Sequence, residues 1–528
     1  MKKKLIAALC IGSMAMVLSL SVFFLMRGED LLVRASRNVD TITMDIVYCA
    51  DARTISVMQQ INYRNRSSVS KDEVKFHLYA NAFREGAKFG VANESDFARA
   101  FPNGQSFGHM EIESVRVENN LIEHEVIGED ENVLRVPVEG LGSGHRVNIE
   151  IIYTVYLANV AHRLGWTDSV VNLGNFYPVP VIFSNGEWMT NVFTYKGDPF
   201  FNEVHNFNVT LTRPKSYVMA SSGRITSEKI KDDLKTTTVQ SLAIRDWAAV
   251  LSQEFQSISR NVDGVRVCYY FLNDSEPQLS LETGVKALRT FSRLFVDFPY
   301  RQLVIVQTDF VHGGMEYGEI VFISSSITER AIKDRIIVHE IAHQWWYGII
   351  GNDQVRTSWI DEGLAEYSTL LFFEENPEFG VASQDYINMY RNNLITFANW
   401  IQEVGGQVNF DMNRHLYEFD SQYEYAYMAY MRGKLLFVDL EAMLGRSIMI
   451  DALSHLARTN MFGIIDREDI LQSLKYASGQ DFALFFENYL AGEGFSVLPS
   501  RPQQSGNAFL ILDLKILDKL NYVNYTKR

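Results

Sequence analysis

HEIAHQWWYGIIGNDQVRTSWIDEGLAE, residues 339 to 366, is the stretch that decides how the remainder of the chain is read. His339 and His343 are four residues apart, so a helix stacks them on one face, where two imidazoles grip a single ion. Glu340 follows the first histidine. Its carboxylate therefore stands beside the metal, placed to take a proton from water without being a ligand. The run ITERAIKDRIIVHEIAHQWWY after Ser326, with Gly348 at its end, predicts one helix. Gly351 to Ser358 reads as a loop. A second helix is expected from about Ser358, with Asp361 completing a capping box, to a stop before Pro377. Glu362 falls in its first turn. The 18 residues between His343 and Glu362 are enough for the chain to turn and bring a carboxylate back to the same ion. His339, His343 and Glu362 would leave a fourth zinc position open, which is the catalytic and not the structural arrangement.

Chance alone produces an HExxH in a chain with 11 His on the order of once in a hundred such chains. The second pattern, WIDEGLAEY at a fixed distance, makes coincidence much rarer. With both in place the chain resembles the M1 zinc aminopeptidases, whose signature is HExxH, 18 residues, then Glu. HGGMEYGEIVF (312 to 322), AYMRGKLLF (429 to 437) and FALFFENYLAGEG (482 to 494) agree with that family as well. The resemblance runs over roughly residues 40 to 497. It implies one Zn2+ per chain, peptide substrates, and an α+β thermolysin-like catalytic domain behind an N-terminal β domain. It also implies that Glu316, with Gly313, Gly314 and Met315, holds a substrate's free N-terminus. Tyr317 departs from the family's GxMEN motif by standing where Asn is expected. An oxyanion formed at the scissile carbonyl needs a donor besides the metal. Tyr430, in a Tyr-x-Arg-Gly pattern like the family's Tyr-x-Lys-Gly, is the candidate. Tyr423, Tyr425 and Tyr427 are close by, so spacing alone does not select it. Glu366 and Asp361 are candidates for holding the ligands by hydrogen bonds, and a solvated helix face explains them equally well.

The flanking sequence divides the chain into segments. At 528 residues, 47% hydrophobic and 21% charged, it is long enough for two or three domains with real cores. A net charge of −15, with no basic run beyond the first four residues, argues against nucleic-acid binding as a function class. Lys2, Lys3 and Lys4 precede an uncharged run from Leu5 to Met26. That length is enough to span a bilayer, so residues 1 to 26 are expected to anchor the chain with its bulk outside the cytoplasm. A cleaved signal peptide, which would make the protein secreted, is the competing reading. Residues 27 to 40 then read as a linker.

From 41 to 255 the hydrophobic period is two, as in Val74, Phe76, Leu78 and in Phe207, Val209, Leu211. Turn clusters separate these runs, which predicts an antiparallel β sandwich or saddle. Its scattered histidines, His77, His109, His124, His145, His162 and His205, lack ligand spacing. Tyr177, Trp188 and Tyr195 are candidates for either a cleft wall or the core. From 256 to 497 short strands and a helix near 280 to 297 precede a mainly helical stretch, so the fold class is multidomain, all-β then α+β. Residues 498 to 528 read as a short tail, in place of the large helical C-terminal domain of many family members. Cys49 and Cys268 give no disulfide framework and read as small buried hydrophobes. The expected function is removal of N-terminal residues from peptides. An endopeptidase with the same chemistry, or an idle surface-binding protein of the same fold, are the alternatives.

Overall fold

The computed structural model describes residues 28–492, so the apolar run at the N-terminus and the tail expected from 498 lie outside it. Among the described residues no helix is long and apolar enough to cross a membrane. Strict alternation of buried with half-buried or exposed side chains builds the N-terminal part, as in Thr54–Arg64 and His205–Pro214. Eight strands form its largest sheet, in the order 224–231, 234–244, 205–214, 41–49, 54–64, 146–156, 109–117, 120–122. All its pairs are antiparallel except Thr41–Cys49 against His205–Pro214. Two four-stranded sheets and one two-stranded hairpin, Phe183–Ser184 with Glu187–Trp188, complete this part. The stretch expected as a linker instead carries a helix, Gly28–Ser36. It buries Leu32, and Ser36 accepts a hydrogen bond from Asn206 (2.8 Å). Cys268 is buried as expected; Cys49, on the other hand, is exposed, and neither forms a disulfide.

Gln256–Val262 opens a second, five-stranded sheet, followed in space by Val265–Phe271, Gln302–Thr308, Ile320–Ser324 and Gly314–Met315. The three middle strands run parallel and are almost wholly buried, as parallel strands covered on both faces must be. Helix Pro277–Leu294 and helix Arg330–Ala342, which carries His339 and Glu340, pack against each other; the latter also lies on Ile320–Ser324. Helix Trp359–Glu375 brings Glu362 alongside, and helices continue to Ala483–Leu490. Two adjacent tryptophans wedge this layer. Trp345 donates to Val296 O and Trp346 to Ser368 Oγ, both at 2.8 Å, each tying the end of the first ligand helix to a different neighbour.

The first ligand helix is pinned near its start. Lys333 Nζ donates to Asp274 Oδ1 (2.8 Å), while Tyr269 and Ser280 donate to Oδ2 (2.8 and 2.5 Å). Burial alone would raise this carboxyl, but the bond from Lys333 and those from Ser280, Glu276 N and Tyr269 outweigh it and hold the pKa at about 2. A depressed carboxylate contributes stability that is full above its unfolded value and is lost as pH falls through the folded one. The shift from 3.8 corresponds to about 2 kcal/mol. Asp274→Asn is therefore expected to lower the melting temperature near pH 6, and the gap to the unmutated chain should close as both are melted toward pH 2. A gap that stays constant with pH would remove Asp274 from this role.

Candidate metal and peptidase site

The helix with His339 ends earlier than Gly348 suggested. It closes at Ala342 with His343 as its cap, and Gly348 N then donates to His343 O five residues back (2.9 Å). The capping box expected at Ser358 is not formed either. Ser358 makes no side-chain cap, and the Asp361 carboxylate is taken by Asn352 (3.0 Å) and Gln354 (2.7 Å), which fasten the intervening loop to the second ligand helix.

His339, His343 and Glu362 meet regardless. Their Nε2 atoms are 3.1 Å apart, and Glu362 Oε2 lies 3.4 Å from the first and 3.3 Å from the second. Zinc–ligand bonds of about 2.0–2.1 Å imply tetrahedral edges of about 3.3–3.4 Å, so the three atoms fit the face of one zinc tetrahedron. All three residues are buried. Burial disfavours charge on His339, but Glu362 and Glu366 raise its pKa to about 9; His343 is also raised, by Glu362 in particular, against the burial penalty. Glu362 is held at about 2 despite burial, chiefly by His343. The field that draws protons to these imidazoles equally draws a dication.

The outer groups are ordered as metal ligands require. His343 Nδ1 faces Trp346 O (3.0 Å), and His339 Nδ1 faces Glu366 Oε1 (3.1 Å). Glu366 in turn receives Lys434 (2.6 Å), Arg335 (3.1 Å) and the Tyr390 hydroxyl (2.9 Å). Glu366 thus acts through His339 and is no solvated helix-face residue. Lys434 and Arg335 carried no spacing signal that singles them out. A close backbone crossing brings this group together: a Cβ on Gly433 would lie 2.9 Å from Gly363 Cα, so only two glycines let helix Trp359–Glu375 touch the segment Ala426–Leu444.

Above the ligands lies a cavity of about 260 Å³ lined by, among others, Glu340, Gly313, Gly314, Tyr430, Asp198 and Arg163. Glu340 is buried, and burial raises its carboxyl to about 7, with His339 and His343 opposing; a dication on the three ligand atoms would oppose it further. The backbone of Gly314 approaches the Glu340 carboxylate so closely that no Cβ fits between them. Tyr430 sits in a π-helical stretch, Ala426–Arg432, with its ring nearly parallel to His339 (centroids 5.8 Å apart, 18°). Burial first, and then the Glu362 carboxylate, push its phenol well above the ordinary value. Tyr427 stacks instead on Phe397 at 4.2 Å, and Tyr425 is buried edge-on to Tyr430.

Glu316 is placed differently from what the sequence suggested. At 3% exposure it lies beneath the cavity wall with Met315, accepts a hydrogen bond from Gln354 (3.0 Å), and is not among the lining residues. Its carboxyl is raised well above the usual range, by burial and then by Asp198. Asp198 does line the cavity and pairs with the buried Arg163 at 2.7 Å. It comes from a loop of the N-terminal part with no ligand-like spacing, so nothing in the sequence marked it. Tyr317 turns away from the site and donates its hydroxyl to Asn175 (2.8 Å). Of the aromatics in the N-terminal part, Tyr195 lines the cavity, Tyr177 is core, and Trp188 stands over Lys71.

Comparison with known proteins agrees with this geometry. Residues 279–489 match the Peptidase family M1 domain. Aminopeptidase M1-A of Oryza sativa subsp. japonica is 24% identical over 322 residues, covering 57% of this chain and 35% of that protein. Endoplasmic reticulum aminopeptidase 2 of Homo sapiens is 26% identical over 195 residues, covering 33% of this chain and 20% of that protein. The chain thus aligns with only 35% or less of the length of these curated relatives. The crystal structure of an M1 zinc metallopeptidase from Deinococcus radiodurans superposes with a TM-score of 0.58 at 16% identity, over 88% of this chain and 95% of that one. A mutant of that enzyme bound to a Tyr-Ser-Ala substrate superposes equally well, at 14% identity. The signature residues thus assemble as a zinc site inside the segment, residues 279–489, that matches the Peptidase family M1 domain, and the two-part fold is shared with an M1 zinc metallopeptidase of known structure.

Proposed function

We propose that this protein is a zinc aminopeptidase that removes N-terminal residues from peptides, with its catalytic part held outside the cytoplasm by the N-terminal apolar segment. The observation that carries the reading is the charge of the cavity. Asp198, Glu340 and Glu366 line it and Glu316 lies just beneath, close to His343 and Glu340, against two lining arginines, Arg163 and Arg335, that Asp198 and Glu366 already engage. Carboxylate in excess of cation in a desolvated cavity favours a ligand that carries its own positive charge, as a free N-terminus does. The Deinococcus radiodurans relative described with a Tyr-Ser-Ala substrate is consistent with a peptide ligand.

His339, His343 and Glu362 would hold the ion. When bound, zinc supplies Lewis acidity, polarising a carbonyl and easing proton loss from water. Glu340 takes the proton from the attacking water and returns one to the leaving amine. Tyr430 donates its hydroxyl to the oxyanion. Asp198 holds the substrate ammonium at the cavity wall, with Glu316 reinforcing it from below through the field.

Free-amine and N-acetylated forms of the same peptides separate the possibilities. Free peptides should be cut one residue at a time and acetylated ones left intact, because acetylation removes the positive charge that the excess of carboxylate favours. Asp198→Asn should raise KM for free peptides and cost about 2–4 kcal/mol in kcat/KM, the scale for a desolvated ion pair. Equal cleavage of both forms would leave the endopeptidase reading. An idle binding protein is disfavoured by the intact ligand set and Glu340.

A further inference from the structure

The loop that follows Glu316 is held almost entirely by side chains from elsewhere in the chain. Gly318 donates its N–H to Asp246 Oδ1 (2.8 Å) and its carbonyl accepts from Ser222 Oγ (2.7 Å), both residues of the N-terminal β part. Tyr317 O accepts from Gln344 Nε2 and Glu319 N donates to Gln344 Oε1, each at 2.9 Å, and Gln344 directly follows the ligand His343. The Tyr317 hydroxyl reaches across to Asn175. The second carboxylate oxygen of Asp246 accepts from the Tyr347 hydroxyl, four residues beyond His343. Tyr347 sits at φ 149°, a conformation that residues with a side chain rarely adopt, and its carbonyl is clasped by Arg245 Nε (2.6 Å). Asp246 is completely buried. One carboxylate thus binds the two segments that must keep a fixed spacing: the strand edge Gly314–Met315 leading to Glu316, and the exit of the ligand helix.

We infer that Asp246 is a positioning residue for the site: the N-terminal β part sets, through this carboxylate, the distance between the cavity-lining edge Gly313–Gly314 and the metal ligands. It touches no reacting atom. Loosening it should let the edge move relative to the ion, which weakens binding of substrate and transition state alike and so raises KM more than it lowers kcat.

The test uses the full zinc-loaded chain and three variants. Asp246→Ala removes both ties, Asp246→Asn keeps an acceptor for Gly318 N, and Tyr347→Phe removes only one tie. Amide hydrogen exchange and steady-state kinetics are measured on each, after zinc content is shown to be equal. In Asp246→Ala, exchange over residues 313–319 should quicken about tenfold with strand Gln302–Thr308 unchanged. KM should rise about tenfold with kcat within about twofold, and Asp246→Asn should recover most of both. A merely structural role would lower the melting temperature and raise exchange throughout, with KM unmoved, and that result overturns the inference. So does unchanged exchange at 313–319. If Asp246→Ala does not fold, Tyr347→Phe carries the same two readouts at smaller amplitude. The KM part rests on the peptidase reading above; should the unmutated chain cleave no peptide, that reading fails and the exchange pattern alone decides whether Asp246 holds the loop.

Discussion

Glu340→Gln should keep its zinc and its KM and lose about 10²- to 10⁴-fold in kcat, the usual size of a general acid–base contribution. The substitution is nearly isosteric, which matters here because the Gly314 backbone lies against the side chain and any change of volume would shift the cavity wall. Zinc content should be unaffected because the three ligand atoms close on one another without Glu340. The amide can still accept a hydrogen bond from water but cannot take its proton. A variant with undiminished turnover would remove Glu340 from the mechanism.

Tyr430→Phe should lower kcat by about 10²- to 10³-fold with little change in KM, as expected of a donor used mainly when the oxyanion forms. The competing tyrosines supply the control. Tyr427 is stacked on Phe397 and does not line the cavity, so Tyr427→Phe should leave kcat within about twofold. A large loss in Tyr427→Phe and none in Tyr430→Phe would place the donor one turn away from where the geometry puts it.

What the sequence made legible depended on the range of the interaction. The His339–His343–Glu362 set follows from a four-residue period and a fixed loop, both local, and the alternation in strands such as Phe207, Val209 and Leu211 is local too; the structure shows both. The π-helical turns at Ala426–Arg432 break the regular helical spacing, which is why counting residues could not choose among the tyrosines. The capping box at Ser358 failed because Asn352 and Gln354 compete for Asp361, a contest between side chains that spacing does not record. Glu316 was expected to face substrate because the family resemblance implies it. Its burial under Gln354, and the exposure of Asp198 in its stead, are decided by how the two parts of the chain meet. Asp246, Ser222 and Asn175 act on the site over separations of 72 to 142 residues, a distance at which no pattern in the sequence points to them.

The most direct measurement is zinc content set against hydrolysis. The purified chain should carry one zinc, lose hydrolysis of free-amine peptides when a chelator removes it, and recover on return of one equivalent, while His343→Ala should neither bind nor cleave. Peptide hydrolysis that survives complete removal of the metal, or a folded chain that takes up no zinc, would contradict the assignment of His339, His343 and Glu362 as the centre of a zinc peptidase site.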